Sequence, residues 1–166
     1  MSSELLLIRH GESEANVGLS TDPDSRLTQR GIEQARNLGQ RLAAHVDLTG
    51  FTALVSPYHR TQHTAAEIAS TTGLKFQPNE LIREWGVIAT INGREFPEET
   101  TEHLIARLTE FLQVYAGRKL VIVSHAAPIA VLTQLAWGEV PNVTGQFWHG
   151  VTNCCLRRVG ATYHMI

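Results

Sequence analysis

Four side chains able to grip or attack an anion stand where apolar runs end. Arg9 and His10 follow Leu5-Leu6-Leu7-Ile8, and His125 follows Leu120-Val121-Ile122-Val123-Ser124. Arg60 lies just beyond Ala53-Leu54-Val55-Ser56-Pro57. Imidazole offers a nucleophile, a base or a proton donor near neutral pH, and guanidinium offers a planar fork of donors that matches an oxyanion. A strand-end histidine by itself commonly bonds only a neighbouring carbonyl. Two histidines with two arginines beside them at three strand ends describe a site.

The elements that position these groups can be read from the same runs. Branched aliphatics without alternation indicate strands buried on both faces, as in a parallel sheet covered by helices. In such sheets ligands bind in the crevice outside the carboxyl ends of the strands, where Arg9, His10, Arg60 and His125 would meet. Gly11 permits a positive φ or a close backbone approach. Residues 12–26 contain Asn16, Gly18, Ser20, Asp22, Pro23 and Asp24, a turn-rich loop over the site. Thr28 caps a helix whose Ala35, Leu38 and Leu42 share one stripe. A second helix spans about Tyr58–Thr72, with Ala65, Ile68 and Ala69 inward and Gly73 as its stop. Leu74-Lys75-Phe76 reads as a short strand, and 78–97 as a long functional loop broken by Gly86, Asn92-Gly93 and Pro97. Thr100 or Thr101 caps a helix carrying Leu104, Leu108, Phe111, Leu112 and Tyr115 up to Gly117. A helix from Pro128, as first helical residue, to about Trp137 follows, then strands near Thr152–Arg157 and Thr162–Met165.

The ordered set Arg9-His10-Gly11-Glu12, Asn16, Leu27-Thr28 with Gly31, Gln34 and Ala35, Ser56-Pro57 with Arg60 and Thr64-Ala65, Leu81 with Arg83-Glu84, and Val123-Ser124-His125 resembles the histidine phosphatase superfamily, which includes the cofactor-dependent phosphoglycerate mutases. The resemblance spans nearly the whole chain. It implies a three-layer α-β-α domain over 1–166, phosphoglycerate mutase-like, with a mostly parallel sheet and helices on both faces. It implies a phosphomonoesterase acting through a phosphohistidine on His10, with Arg9, Arg60 and His125 holding the phosphoryl oxygens and Glu84 as the acid at the leaving oxygen. Glu12 is a backup donor. Asn16 and Ser56 are phosphate contacts or simple turn formers and caps, and Arg83 and Trp85 are candidate substrate contacts on the loop, with Asn92, Arg94 and Glu95 further along it. Ala126-Ala127 stand where some branches carry an acid after the second histidine, and His63 stands where many relatives have glutamine.

A phosphate monoester dianion needs fixed cationic donors, an in-line nucleophile and an acid for the departing oxygen, all of which these residues supply. Three other readings remain. A phosphomutase would use the same residues but shield the phosphoenzyme from water, and this chain is short for that. A metal site could use His59 and His63 at i, i+4, although the glutamate of a His-Glu-x-x-His motif is absent and Arg60 intervenes. A phosphoanion or phosphopeptide binding module would keep the pocket without turnover. No cofactor is expected. The chain has 166 residues, 43% hydrophobic, with net charge −2, which gives no global attraction to nucleic acid or an acidic membrane. The start lacks a basic region and its apolar run is short, so a cytoplasmic protein acting on a small phosphate ester, with a phosphoprotein as the larger alternative, is expected. Oligomeric state is not written in the sequence. Cys154 and Cys155, adjacent on a strand-like stretch, would point to opposite faces as reduced thiols.

Overall fold

The first apolar run forms β1 (Glu4–Arg9), with Leu5 to Ile8 all buried. The structure, a computed structural model, describes residues 4–86, 88–145, 147–160 and 164–165. Successive strand side chains point to opposite faces, so Leu5 and Leu7 enter one apolar layer and Leu6 and Ile8 another. Helices α1 (Gln29–His45) and α2 (His59–Thr72) cover the Leu6 face through Ala35, Leu38, Leu42, Ala65 and Ile68. On the other face, α3 (Thr101–Val114) and α4 (Ala126–Ala136) contribute Leu104, Leu108, Phe111, Ile129 and Leu132.

The sheet order is β3 (Phe76–Pro78), β2 (Phe51–Val55), β6 (Lys119–Ser124), β1, β7 (Leu156–Val159) and β8 (His164–Met165). The first four of these are parallel, and β7 and β8 are antiparallel additions at the β1 edge. Ile8 and Val55 both pair with Val123, so β1, β6 and β2 finish side by side at one edge of the sheet. This register brings together the chemistry that follows each strand.

The loop after β1 runs directly beneath the start of α1. A Cβ on Gly11 would stand 2.4 Å from the Gly31 carbonyl oxygen, and one on Gly31 would stand 2.1 Å from that of Glu12. Both positions therefore need glycine for close approach, and a positive φ plays no part at Gly11. Thr28 caps α1 as expected, its hydroxyl accepting from the Gly31 amide.

Several elements differ from the sequence expectation. The third strand is Phe76–Pro78, not Leu74–Phe76, because Phe76 pairs with Ala53 and Leu74 is still leaving the left-handed Gly73 cap. Ala69 is only half-buried. The segment expected as a plain loop at 78–97 contains a 3-10 turn, Glu80–Ile82, and a hairpin of β4 (Ala89–Ile91) and β5 (Arg94–Phe96). Asn92 and Gly93, both at positive φ, make its two-residue turn, and buried Ala89, Ile91 and Phe96 join Tyr58 in a small cluster. Loop 12–26 likewise holds a 3-10 turn at Glu14–Val17. Helix α4 begins at Ala126 with His125 as its cap, so Pro128 is its third residue, where the amide still needs no helical acceptor. The strand expected at Thr152–Arg157 is Leu156–Val159, because the Cys154 amide donates to the Arg9 carbonyl and Cys154 takes a φ of 50°. Cys154 and Cys155 thus lie in a turn, unbridged, and burial pushes both thiols up, Cys154 to about 12. Of the last expected strand, 162 and 163 lie outside the described residues.

Candidate active site

His10 stands 2% exposed at the floor of a cavity of about 800 Å³. Its Nδ1 is 2.7 Å from the Gly11 carbonyl oxygen, which can only accept, so Nδ1 carries the proton. Nε2 therefore presents a lone pair, and the Arg60 Nε–H donates to it at 3.1 Å. Burial lowers the His10 pKa well below its ordinary value, aided by Arg60 and His125, so the ring is neutral near pH 7. The backbone around it is fixed from two sides: the His10 amide donates to the Ser124 carbonyl and the Gly11 amide to the Thr64 hydroxyl.

Arg60 occupies the first turn of α2, with the Tyr58 ring 4.7 Å from its guanidinium carbon. Its Nη1 donates to the Pro23 carbonyl at 2.6 Å and its Nη2 to Glu84 Oε2 at 3.4 Å. Arg9 reaches the cavity from β1 and donates to the Val151 carbonyl at 2.6 Å. Glu84 Oε1 accepts from the Trp85 amide at 3.0 Å. Burial raises its pKa, but His125, Arg60 and that amide outweigh burial and hold it below the usual carboxylate range.

His125 is fully buried, and its neighbours Ala126 and Ala127 line the cavity in its place. Its Nε2 lies 2.7 Å from the Ser56 hydroxyl. Its Nδ1 lies 3.3 Å from Glu84 Oε2, within ion-pair distance but without hydrogen-bond alignment. The ring meets those of His10 and Tyr58 edge-on, at 5.3 and 4.9 Å between centroids. Burial lowers the His125 pKa to about 4 against the opposing pull of Glu84, so this imidazole too is neutral near pH 7.

The structure thus gathers Arg9, His10, Arg60, Glu84 and His125, with Asn16 and Trp85 on the cavity wall. Six of the residues expected at or near the site stand elsewhere. Ser56 is fully buried behind His125 and orients that ring without reaching the cavity. Glu12 accepts from the Thr28 hydroxyl at 2.8 Å and pairs with Arg30, so its carboxylate is tied to the start of α1. Arg83 turns away to Glu99 at 3.0 Å. Arg94 pairs with Glu80 outside the cavity, and Asn92 and Glu95 sit exposed on the hairpin. Loop 78–98 reaches the cavity through Glu84, Trp85, Gly86 and Glu98.

Two supports were not legible in the sequence. Tyr58, fully buried, lies under both His125 and Arg60. Arg107 on α3, 7% exposed, donates to the carbonyls of Leu81, Arg83 and Glu84 and to both Glu99 oxygens, fixing the segment that carries Glu84. Its spacing in α3 reads as an ordinary helix residue.

The donor atoms of His10, Glu84 and His125 lie within 4.8 Å of one another, a spacing a metal could use. Arg60 is hydrogen-bonded to two of the three, and a divalent cation would have to share their lone pairs with that fixed charge. The set suits an anion better. His59 and His63, the alternative pair, lie 3.6 Å from separate carboxylates, Asp24 and Glu67.

A parallel sheet whose strand ends join two neutral imidazoles, two guanidiniums and a carboxylate over one cavity defines the class of a phosphoryl-handling α/β protein. Residues 5–104 match the histidine phosphatase superfamily (branch 1), and the chain belongs to it. It is 34% identical to the adenosylcobalamin/alpha-ribazole phosphatase of Escherichia coli, over 77% of this chain and 76% of that one. It is 31% identical to the Yersinia enterocolitica protein named "Probable phosphoglycerate mutase GpmB", over 94% and 84% of the two chains. Among solved structures, the mycobacterial glucosyl-3-phosphoglycerate phosphatase shares the fold with a TM-score of 0.68 at 19% identity, covering 95% and 90%.

Proposed function

We propose that the chain hydrolyses small phosphate monoesters through a phosphohistidine on His10, without a metal. The observation that carries this reading is the tautomer of His10, whose proton is held at Nδ1 and whose Nε2 lone pair accepts from Arg60. An entering phosphoryl group takes the donors of Arg9 and Arg60 and so uncaps the nucleophile. Nε2 then forms the N–P bond as the ester P–O bond breaks, and Glu84 delivers a proton to the departing oxygen. Glu84 is ionised in the empty site, and the bound dianion supplies the like charge that favours its protonation. His125, held by Ser56, stands behind the cavity and turns its Nδ1 toward Glu84. Water next attacks phosphorus, gives its proton to Glu84, and releases phosphate as the N–P bond breaks. The names of the relatives support this reading as far as a phosphatase of small esters.

The mutase alternative has the Yersinia relative's name in its favour. A mutase must keep water from the phosphohistidine, whereas the wall of this cavity includes the exposed residues Asn16, Asp22, Glu98 and His149. Turnover of p-nitrophenyl phosphate by the wild-type and His10→Ala proteins, with circular dichroism on both, tests the proposal. The expected result is hydrolysis that survives EDTA, is inhibited by vanadate, and disappears in a folded His10→Ala. Loss in EDTA with rescue by a divalent metal, or near-normal turnover by His10→Ala, would overturn it.

A further inference from the structure

The cavity is electrically lopsided. Arg9 and Arg60 are the only arginines among its lining residues, no lysine is present there, and both stand at the His10 end. The lining also includes Asp22 and Glu98, both exposed and without a cationic partner among the described residues. Glu99 on the same wall is already matched by Arg83 and Arg107.

Two tryptophans are the aromatic residues in the lining. Trp85 and Trp148 both line the cavity, half-buried, with ring centroids 5.9 Å apart and planes inclined at 62°. Phe147 backs them at 6.0 and 5.0 Å. Aromatic rings braced in this way offer large, rigid contact area at little cost in side-chain entropy.

Resting on the phosphatase reading above, we infer that the alcohol half of the substrate carries a planar group and no second negative charge. A carboxylate on that half would meet unpaired Asp22 and Glu98, while Arg9 and Arg60 are engaged by the phosphate and no further arginine or lysine lines the cavity. A planar group would instead lie against Trp148 and Trp85, where stacking is typically worth about tenfold or more.

Two matched substrate pairs test this with the intact protein. Adenosine 5′-monophosphate against ribose 5-phosphate reads the planar group, and glycerol 3-phosphate against 3-phosphoglycerate reads the carboxylate. The expected kcat/KM ratios are at least about tenfold in favour of the first member of each pair. Trp148→Ala should collapse the first ratio and Trp148→Phe should restore most of it. Asp22→Lys with Glu98→Lys, at exposed positions that do not endanger folding, should raise 3-phosphoglycerate relative to glycerol 3-phosphate severalfold. Parity or reversal within either wild-type pair overturns the inference while leaving the phosphatase reading standing. Failure to hydrolyse any of the four, or p-nitrophenyl phosphate, overturns that reading and the inference with it.

Discussion

Replacing Arg107 tests whether the Glu84 segment is held by a side chain that never enters the cavity. Arg107→Met removes the donors to the Leu81, Arg83 and Glu84 carbonyls and both contacts to Glu99. Breaking a buried ion pair by deleting one partner costs about 3–5 kcal/mol. Glu99, only 6% exposed, keeps its 3.0 Å contact to Arg83 and is not left alone, which places the loss near the lower end, about 3 kcal/mol. With a urea slope of about 2 kcal/mol per molar, the unfolding midpoint should fall by about 1.5 M. Freed of its carbonyl anchor, the Glu84 segment should also misplace the acid. A displacement of about 1 Å can cost on the order of 10² in rate, so single-turnover cleavage of an alkyl phosphate should fall at least tenfold in the absence of urea. Arg107→Lys should recover part of the stability, since an ammonium can still pair with Glu99, but little of the rate, because it lacks the fork that spans three carbonyls. A midpoint within about 0.3 M of the parent, or a destabilised variant with an unchanged single-turnover rate, would refute the reasoning.

Other outcomes follow from the same geometry. Glu84→Gln should slow phosphoenzyme formation from alkyl phosphates by on the order of 10²–10⁴ and spare p-nitrophenyl phosphate, whose leaving group needs little protonation; equal single-turnover losses on both would remove Glu84 as the acid. His10 and His125 are held neutral in the folded chain, whereas in the unfolded chain each gains a proton near 6.5. The unfolded state therefore binds more protons below that pH, and for His125 the resulting loss extends from about 6.5 down to about 4. At about 1.4 kcal/mol per pH unit, that residue alone should lower stability by on the order of 2 kcal/mol at pH 5 relative to pH 7; urea unfolding that shows equal or greater stability at pH 5 would contradict this. Ser56→Ala should slow turnover without abolishing it, because it removes the 2.7 Å bond that orients His125 and no contact to the cavity; an effect as complete as that of His10→Ala would give Ser56 a direct role.

The sequence exposes the strand ends because the strands at Leu5–Ile8 and Leu120–Val123 are continuous apolar runs, and a histidine after such a run can be located without a structure. The Thr28 and Thr100 caps, the stop at Gly73 and the inward stripes of α1 and α3 are legible for the same local reasons. The hairpin at 89–96 was hidden because strands of three residues carry too little alternation to register, and Asn92-Gly93 reads equally as a breaker. Local spacing could not reveal where Glu12 and Arg83 point, since a side chain's partner across the fold decides that: Thr28 draws one away from the cavity and Glu99 the other. Tyr58 and Arg107 act through rings and carbonyls distant in sequence, which no residue pattern announces. Ser56, read as a phosphate contact or a cap, lies fully buried behind His125, a depth that residue spacing does not reveal.

The central claim is that phosphorus passes through His10. Wild-type protein should be mixed with a radiolabelled phosphate ester, quenched in alkali within one turnover, digested, and its labelled peptide sequenced by mass spectrometry. The account predicts an acid-labile, base-stable phosphate on His10, accumulating in Glu84→Gln if that carboxylate also activates water. Label on His125 or on any other residue, or rapid turnover with no label on protein at any time, would contradict it.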